Sequence, residues 1–457
     1  PPMPPTANAP DADARARDGA EGAAALRATQ ELELEVIELR HDLDAFARER
    51  ASVDDLRRRM DALDARRPPR APFDDWSSLR SSDDIRFSQN GFVVRSPDDR
   101  FLLRPGLRLQ AGYEGVVARG AAFGQVAPDL STIRLSHAEL LFEGHAGGPR
   151  FEYRFELDFA DTATGTVKDA FVQWRFLHDF GVRAGRVRVP FGLEATTWNG
   201  HLELVDVAAP TAAFGLDRDE GVELVGRPLG GKLQFQAAAL NGHRDACPAT
   251  PTDNLVCDAI DLSYAARVVA APLGPLPIFE GDVGGTERPL VAVGASGVYS
   301  LLPTDLRART GSAGAPLDLD GDHRVDNVGV WQVAAELRAM FRGAAVQAEW
   351  FGRREQPGAS QANRDFWGVY GQASYFVIAH HLQAVARFAR TDQPLYGATM
   401  DDRLRAGTHA SEETGGVNWY ARGHDVKVQL DYTHRATPDA LSATSEDRIR
   451  LAAQLAF

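Results

Sequence analysis

The chain has 457 residues, a net charge of −14 and a pI near 5.4. That acid excess excludes a nucleic-acid surface. No Gly-x-Ser-x-Gly, His-Glu-x-x-His or phosphate-cradling glycine motif occurs, so no enzyme is expected. No apolar run reaches the roughly 18 residues that a membrane helix needs. Strands of a membrane barrel, apolar at only every second position, escape that test.

The first ten residues, PPMPPTANAP, lack the basic and apolar start of a signal peptide and read as a mature form. Residues 1–27, rich in Ala, Pro, Asp and Gly, read as a disordered arm. In 28–66 the apolar residues Leu32, Val36, Leu39, Leu43 and Phe46 recur at spacings of four and three. Val53, Leu56, Met60 and Leu63 continue the seam after Arg50. This predicts an α-helical coiled coil of about five heptads; a lone amphipathic helix is the alternative. Placed in the periplasm, residues 1–66 would be free to bind peptidoglycan or a periplasmic protein, with the rest of the chain as an anchor. Pro68 and Pro69 end the helix, and 67–89 form a linker.

From about residue 90 the period becomes two. Phe92-Val93-Val94 and Phe101-Leu102-Leu103 flank a Ser96–Asp99 turn. In FEYRFELDF at 151–159, Phe151, Tyr153, Phe155, Leu157 and Phe159 alternate with Glu152, Arg154, Glu156 and Asp158. The pattern recurs in about sixteen segments, from 106–116 to 446–457, most of a length that crosses a bilayer at a tilt. Connections alternate between short (147–148, 178–179, 229–230, 342–343, 423–424) and long (117–131, 190–219, 242–260, 302–327, 355–365, 391–411, 435–445). Short periplasmic turns and long external loops are the asymmetry of an outer-membrane barrel. The connections 160–165 and 272–289 break that rule. The chain ends on Ile449, Leu451, Ala453, Leu455 and Phe457, an apolar outward face closed by an aromatic residue. The fold class is all-β: a 16-stranded antiparallel transmembrane β-barrel over 90–457, preceded by the coiled coil.

The longest aperiodic stretch inside the barrel region is 190–219, opened by Pro190-Phe191-Gly192. Aperiodic stretches of that length inside a domain are usually functional. We read it as a loop folded into the pore, bringing Glu194, Trp198, His201, Glu203 and Asp206 opposite wall residues Arg154, Arg175, Arg186 and Arg188. Acid facing base across a constriction sets up a transverse field; alternatively the charges pair and pin the loop. Cys247 and Cys257 lie ten positions apart in a polar segment, as a loop-closing disulfide or as two free thiols. Asp318, Asp320, Asp322 and Asp326, with Gly321 for the turn and Arg324 between them, fit a structural Ca²⁺ loop or a solvated acidic loop.

LSHAELLFEGHAGGPRFEYRFELDF at 135–159, VKDAFVQW at 167–174, GRVRVPFGLE at 185–194, DEGVEL at 219–224, GGVNWYARGHDVKVQLDY at 415–432 and the terminal Phe457 together resemble the phosphate-selective porin O/P family. The resemblance implies a homotrimeric porin in the outer membrane of a Gram-negative bacterium, set among lipid and lipopolysaccharide. It also implies a third external loop inside the lumen. Phosphate selectivity in this family rests on an arginine ladder and a lysine cluster. Here lysine stands only at 168, 232 and 427, and the predicted lumen faces mix acids with arginines. The expected solutes are small hydrophilic or anionic molecules, phosphate among them.

Overall fold

Alternating sequences fold as strands because one face can meet lipid while the other meets water or protein. The computed structural model describes residues 85–88, 91–122, 125–126, 129–160, 165–242, 262–303, 327–357, 363–394, 407–438 and 444–457. The expected coiled coil at 28–66, the expected disulfide of Cys247 and Cys257, and the expected Ca²⁺ loop at 318–326 fall outside the described residues.

Strands β1 (Ile85–Ser88) and β2 (Gly91–Arg95) form a hairpin, so the strands begin inside the expected linker. Chain β2 leads through the Ser96–Asp99 turn into β3 (Phe101–Ala122), whose far end pairs with the two-residue β4 (Gln125–Val126). The wall continues as β5 (Leu130–Ala146), β6 (Phe151–Asp158), β7 (Thr166–Leu177), β8 (Phe180–Arg188), β9 (Arg218–Gly226), β10 (Leu233–Leu240) and β11 (Ser263–Ala270). It is completed by β12 (Leu290–Pro303), β13 (Asn327–Phe341), β14 (Ala344–Pro357), β15 (Arg364–Ile378), β16 (Leu382–Pro394), β17 (Gly407–Arg422), β18 (Val426–Thr437) and β19 (Thr444–Ala456). Each pairs antiparallel with the next, β3 with β5, and β19 returns to β3 from Thr444↔Gly120 to Ala456↔Arg108. The N–H and C=O of Phe457 each bond Leu107, both at 3.1 Å, and seal the seam. The result is a closed 16-strand barrel, with each predicted segment a strand. Closure matters because an open edge would leave backbone groups unpaired in lipid.

Outward side chains are apolar: Val172, Trp174, Val222, Leu430 and Ile449 are all exposed on the barrel's outside. Phe151 and Trp174, cross-strand partners, stack with centroids 6.5 Å apart. Inward neighbours such as Gln173, Glu223, Gln429 and Arg450 are buried.

The hydrophobic core sits inside the barrel. Between β8 and β9 the chain turns inward and forms a short helix, α1 (Ala209–Phe214). Val187, Val189, Phe191, Ala208, Phe214 and Leu216 pack on wall residues Ala238, Ala265, Ala334, Ala389, Phe351 and Tyr370. Four of those wall positions are alanine, which leaves room for the inserted rings. Phe351 lies between Phe191 and Phe214, each at a centroid distance of 6.0 Å. A Cβ at Gly368 would come within 2.8 Å of the Phe214 ring and 2.9 Å of Pro210, so α1 seats where the wall carries no side chain. Burying each phenyl ring is worth about 1.5–3 kcal/mol.

Candidate functional site: the barrel interior

Residues 195–208 make few backbone bonds of their own, and buried backbone groups must find partners. The inward face of the wall provides them. The N–H groups of Leu193 and Glu194 donate to the Glu349 carboxylate at 2.5 and 3.0 Å, which also accepts from Tyr370 Oη at 2.7 Å. Lys427 Nζ donates to the Leu202 carbonyl at 2.7 Å, and Asn418 and Gln429 donate to that of Glu203 at 2.6 and 2.8 Å. Gln454 reaches the Gly200 carbonyl at 3.0 Å. The amide, ammonium and carboxylate ends of wall residues thus stand where water would otherwise sit.

The charged residues of the segment are equally tied. Arg387 on β16 donates to Glu194 Oε1 at 3.3 Å and to the carbonyls of Asp206 and Val207 at 2.9 and 3.1 Å, while also meeting Glu412 at 3.1 Å. Glu194 Oε2 accepts from the Ala208 N–H at 2.9 Å and clips the two arms of the segment together. Asp206 pairs with Arg450 on β19 at 2.9 Å. Burial pushes the Glu194 carboxyl up to about 8, against the pull of Arg387. Trp198 lies under the Arg108 guanidinium at 4.8 Å and meets the buried His201 edge-on. Burial first, then Lys427, drives the His201 pKa well below the ordinary imidazole value.

The connection 271–289, which contains the 272–289 exception to the length rule, also turns inward. Its Glu280 and Asp282 are buried. Glu280 Oε2 accepts from the Glu203 N–H at 2.8 Å, and the Glu280 N–H donates to the His201 carbonyl at 3.1 Å. The Glu203 carboxylate takes bonds from Ser374 at 2.5 Å, Gln372 at 2.8 Å and Gln383; Gln372 also touches Glu280 at 3.2 Å. Burial, then the Glu280 charge, pushes the Glu203 carboxyl up to about 7. A Cβ at Gly281, whose φ is +74°, would come within 2.3 Å of Glu203 Oε1. Glycine is what lets the two segments touch.

The expected facing wall is therefore partly wrong. Arg154 and Arg175 are inward but on β6 and β7, paired to neighbouring wall acids: Arg154 to Glu156 at 2.9 Å and Asp169 at 3.3 Å, and Arg175 to Glu152. Arg188 does meet the segment, donating to the carbonyls of Ala195 and Thr197 at 3.3 and 2.6 Å. Arg186 points outward, bonding the Val167 carbonyl at 3.2 Å and lying 3.8 Å from the exposed Glu220. The reason is that Val187 turns into the inner apolar core, so Arg186, one residue before it on the strand, takes the opposite face. The lumen here is filled by protein, which reverses the expected polarity. The arginines that hold the segment's acids are Arg387 and Arg450. Their inward orientation follows from strand alternation; nothing in the sequence indicates which wall the segment leans on. Lys427, Gln372, Gln383 and the whole 271–289 connection were missed.

The sequence model of the family described as phosphate-selective porin O and P matches residues 106–259 and 313–457. The chain belongs to the phosphate-selective porin O and P family. No curated protein matches this porin in sequence. Among solved structures it is similar to the outer-membrane channel DcaP of Acinetobacter baumannii, with 13% identity, a TM-score of 0.52, and 79% of this chain and 99% of that chain covered. It is also similar to OmpT of Vibrio cholerae, with 10% identity, a TM-score of 0.50, and 80% and 100% covered. At these identities the likeness concerns the barrel alone. Family membership places the porin in the outer membrane of a Gram-negative bacterium, as a channel for solutes.

Proposed function

We propose that this porin passes small hydrophilic solutes by passive diffusion, through a path narrowed by residues 190–217 and the 271–289 connection, without dedicated phosphate selectivity. The observation behind this reading is charge pairing. Arg104, Arg108, Arg183, Arg267 and Arg450 each lie within 3.4 Å of a wall carboxylate, and Arg175 contacts Glu152. An arginine already neutralised by a neighbouring carboxylate attracts an anion far less than a bare one. Paired charges on the wall orient dipolar solutes and penalise apolar ones. A homotrimer is the assembly carried over from the family resemblance.

The test is single-channel recording in a planar bilayer under a KCl gradient, with phosphate titrated in. We expect stepwise conductance, weak ion selectivity and no block by low phosphate. Strong anion selectivity with phosphate block would overturn the selectivity reading. No conductance from folded protein would favour the envelope anchor, a reading that the dense filling of the lumen by both segments keeps in view.

A further inference from the structure

Strands β5 and β6 carry a side-chain cluster of which the channel reading uses only Glu139, as the partner of Arg108. The register sets Glu139 opposite Asp158, and His137 lies two residues before Glu139 on the same face. A bulge helps to place it: Gln110 pairs with His137 and Ala111 with Leu135, so Ser136 is the extra residue. Bulges re-aim side chains in this way beside functional sites. His137 Nδ1 lies 2.9 Å from Asp158 Oδ2 and 3.4 Å from Glu139 Oε1, and the three atoms lie within 4.8 Å of one another. Ligands about 2.1 Å from a tetrahedral zinc ion stand about 3.4 Å apart, close to these separations.

The second atom of each carboxylate is already held. Asp158 Oδ1 accepts the N–H groups of Ala138 and Ala160, both at 3.1 Å, which leaves Oδ2 toward the cluster. Glu139 Oε2 accepts from Arg108 Nε at 2.7 Å, while its Oε1 is shared with Arg108 Nη2 at 2.6 Å. Such outer partners orient metal-binding carboxylates. Glu139 and Asp158 are buried, whereas the His137 side chain keeps 20% of its surface open, which gives an ion a way in. Arg108 and Lys168, the latter 3.9 Å from Asp158, reduce the local negative charge without cancelling the two carboxylates and imidazole as a donor set.

We propose that His137, Glu139 and Asp158 form a divalent transition-metal site on the barrel's inner wall, suited to Zn²⁺. One nitrogen and two oxygens match zinc, whereas calcium takes six to eight oxygens. The test uses full-length porin folded in detergent. Equilibrium dialysis with Zn²⁺ is expected to find a site that a triple variant D318N, D320N, D322N retains. His137→Ala and Asp158→Asn should each weaken it at least tenfold. Because Asp158 also holds backbone, a second readout uses the wild type: Zn²⁺ should protect His137 from diethylpyrocarbonate, resolved by peptide mass spectrometry. Failure of the folded wild type to bind Zn²⁺, binding unchanged by H137A and D158N, or modification of His137 at an unaltered rate would each overturn the proposal. None of these outcomes depends on conductance.

Discussion

Replacing Arg387 by alanine separates the observed wall contact from the one expected from sequence. Its guanidinium makes four bonds, to Glu194, to the carbonyls of Asp206 and Val207, and to Glu412. Its side chain and that of Glu194 are each 1% exposed. Above pH 8, where Glu194 is ionised, removing its partner costs about 3–5 kcal/mol, because a buried carboxylate and two carbonyls are left without it. Acting on the docked segment, that is a rise of roughly two to four orders of magnitude in its released population. Arg175→Ala is the control: the Arg175 side chain is 35% exposed and bonded only to wall groups, so its loss is worth about 0–1 kcal/mol and leaves the segment docked. Amide hydrogen exchange of peptides spanning 199–208, measured on the intact porin, should accelerate in R387A and not in R175A. Equal exchange in wild type and R387A, or equal acceleration in both variants, would refute the assigned contact.

Three further outcomes follow from the same contacts. Glu203 has its pKa raised from 4.5 to about 7, so docking is strongest below pH 4.5 and weakens as pH rises to 7, by about 3 kcal/mol in all; current noise should therefore be greater at pH 8 than at pH 5, and E203Q should reduce that difference, leaving the part that Glu194, raised to about 8, contributes with the same sign. Gly281→Ala puts a side chain at φ +74° and against Glu203 Oε1, and should raise exchange in both 199–208 and 276–284 while β-sheet circular dichroism stays unchanged. Phe214→Ala empties the space beside Phe351, a cost of about 3–5 kcal/mol if the site cannot collapse, and protease should then nick the segment faster with the barrel still resistant to heat in detergent.

The barrel was legible because a period of two, repeated across the chain, leaves few other folds. Strand phase told which residues face in, and Arg387, Arg450 and Glu349 were recognisable as lumen residues from it. Phase does not report which of the inward residues an inserted loop will touch. That depends on where the apolar ends of the segment, Phe191 and Phe214, find space, and the space is made by Ala334, Ala389 and Gly368 on the far wall. Arg186 was misplaced for a related reason. A polar–apolar alternation names two faces without saying which is inside, and the inside at Val187 is apolar. The 271–289 connection carries few features that distinguish an inward fold, apart from Phe279-Glu280-Gly281-Asp282, where acids stand in an otherwise Pro- and Gly-rich run.

The central claim is that an inserted segment narrows an aqueous path through this barrel. It is tested most directly by single-channel conductance of the wild type beside a variant in which residues 195–213 are replaced by a short Gly-Ser linker. The account predicts small, stable steps for the wild type and a several-fold larger conductance for the variant. Equal conductance in the two, from proteins with matching barrel circular dichroism, would contradict it.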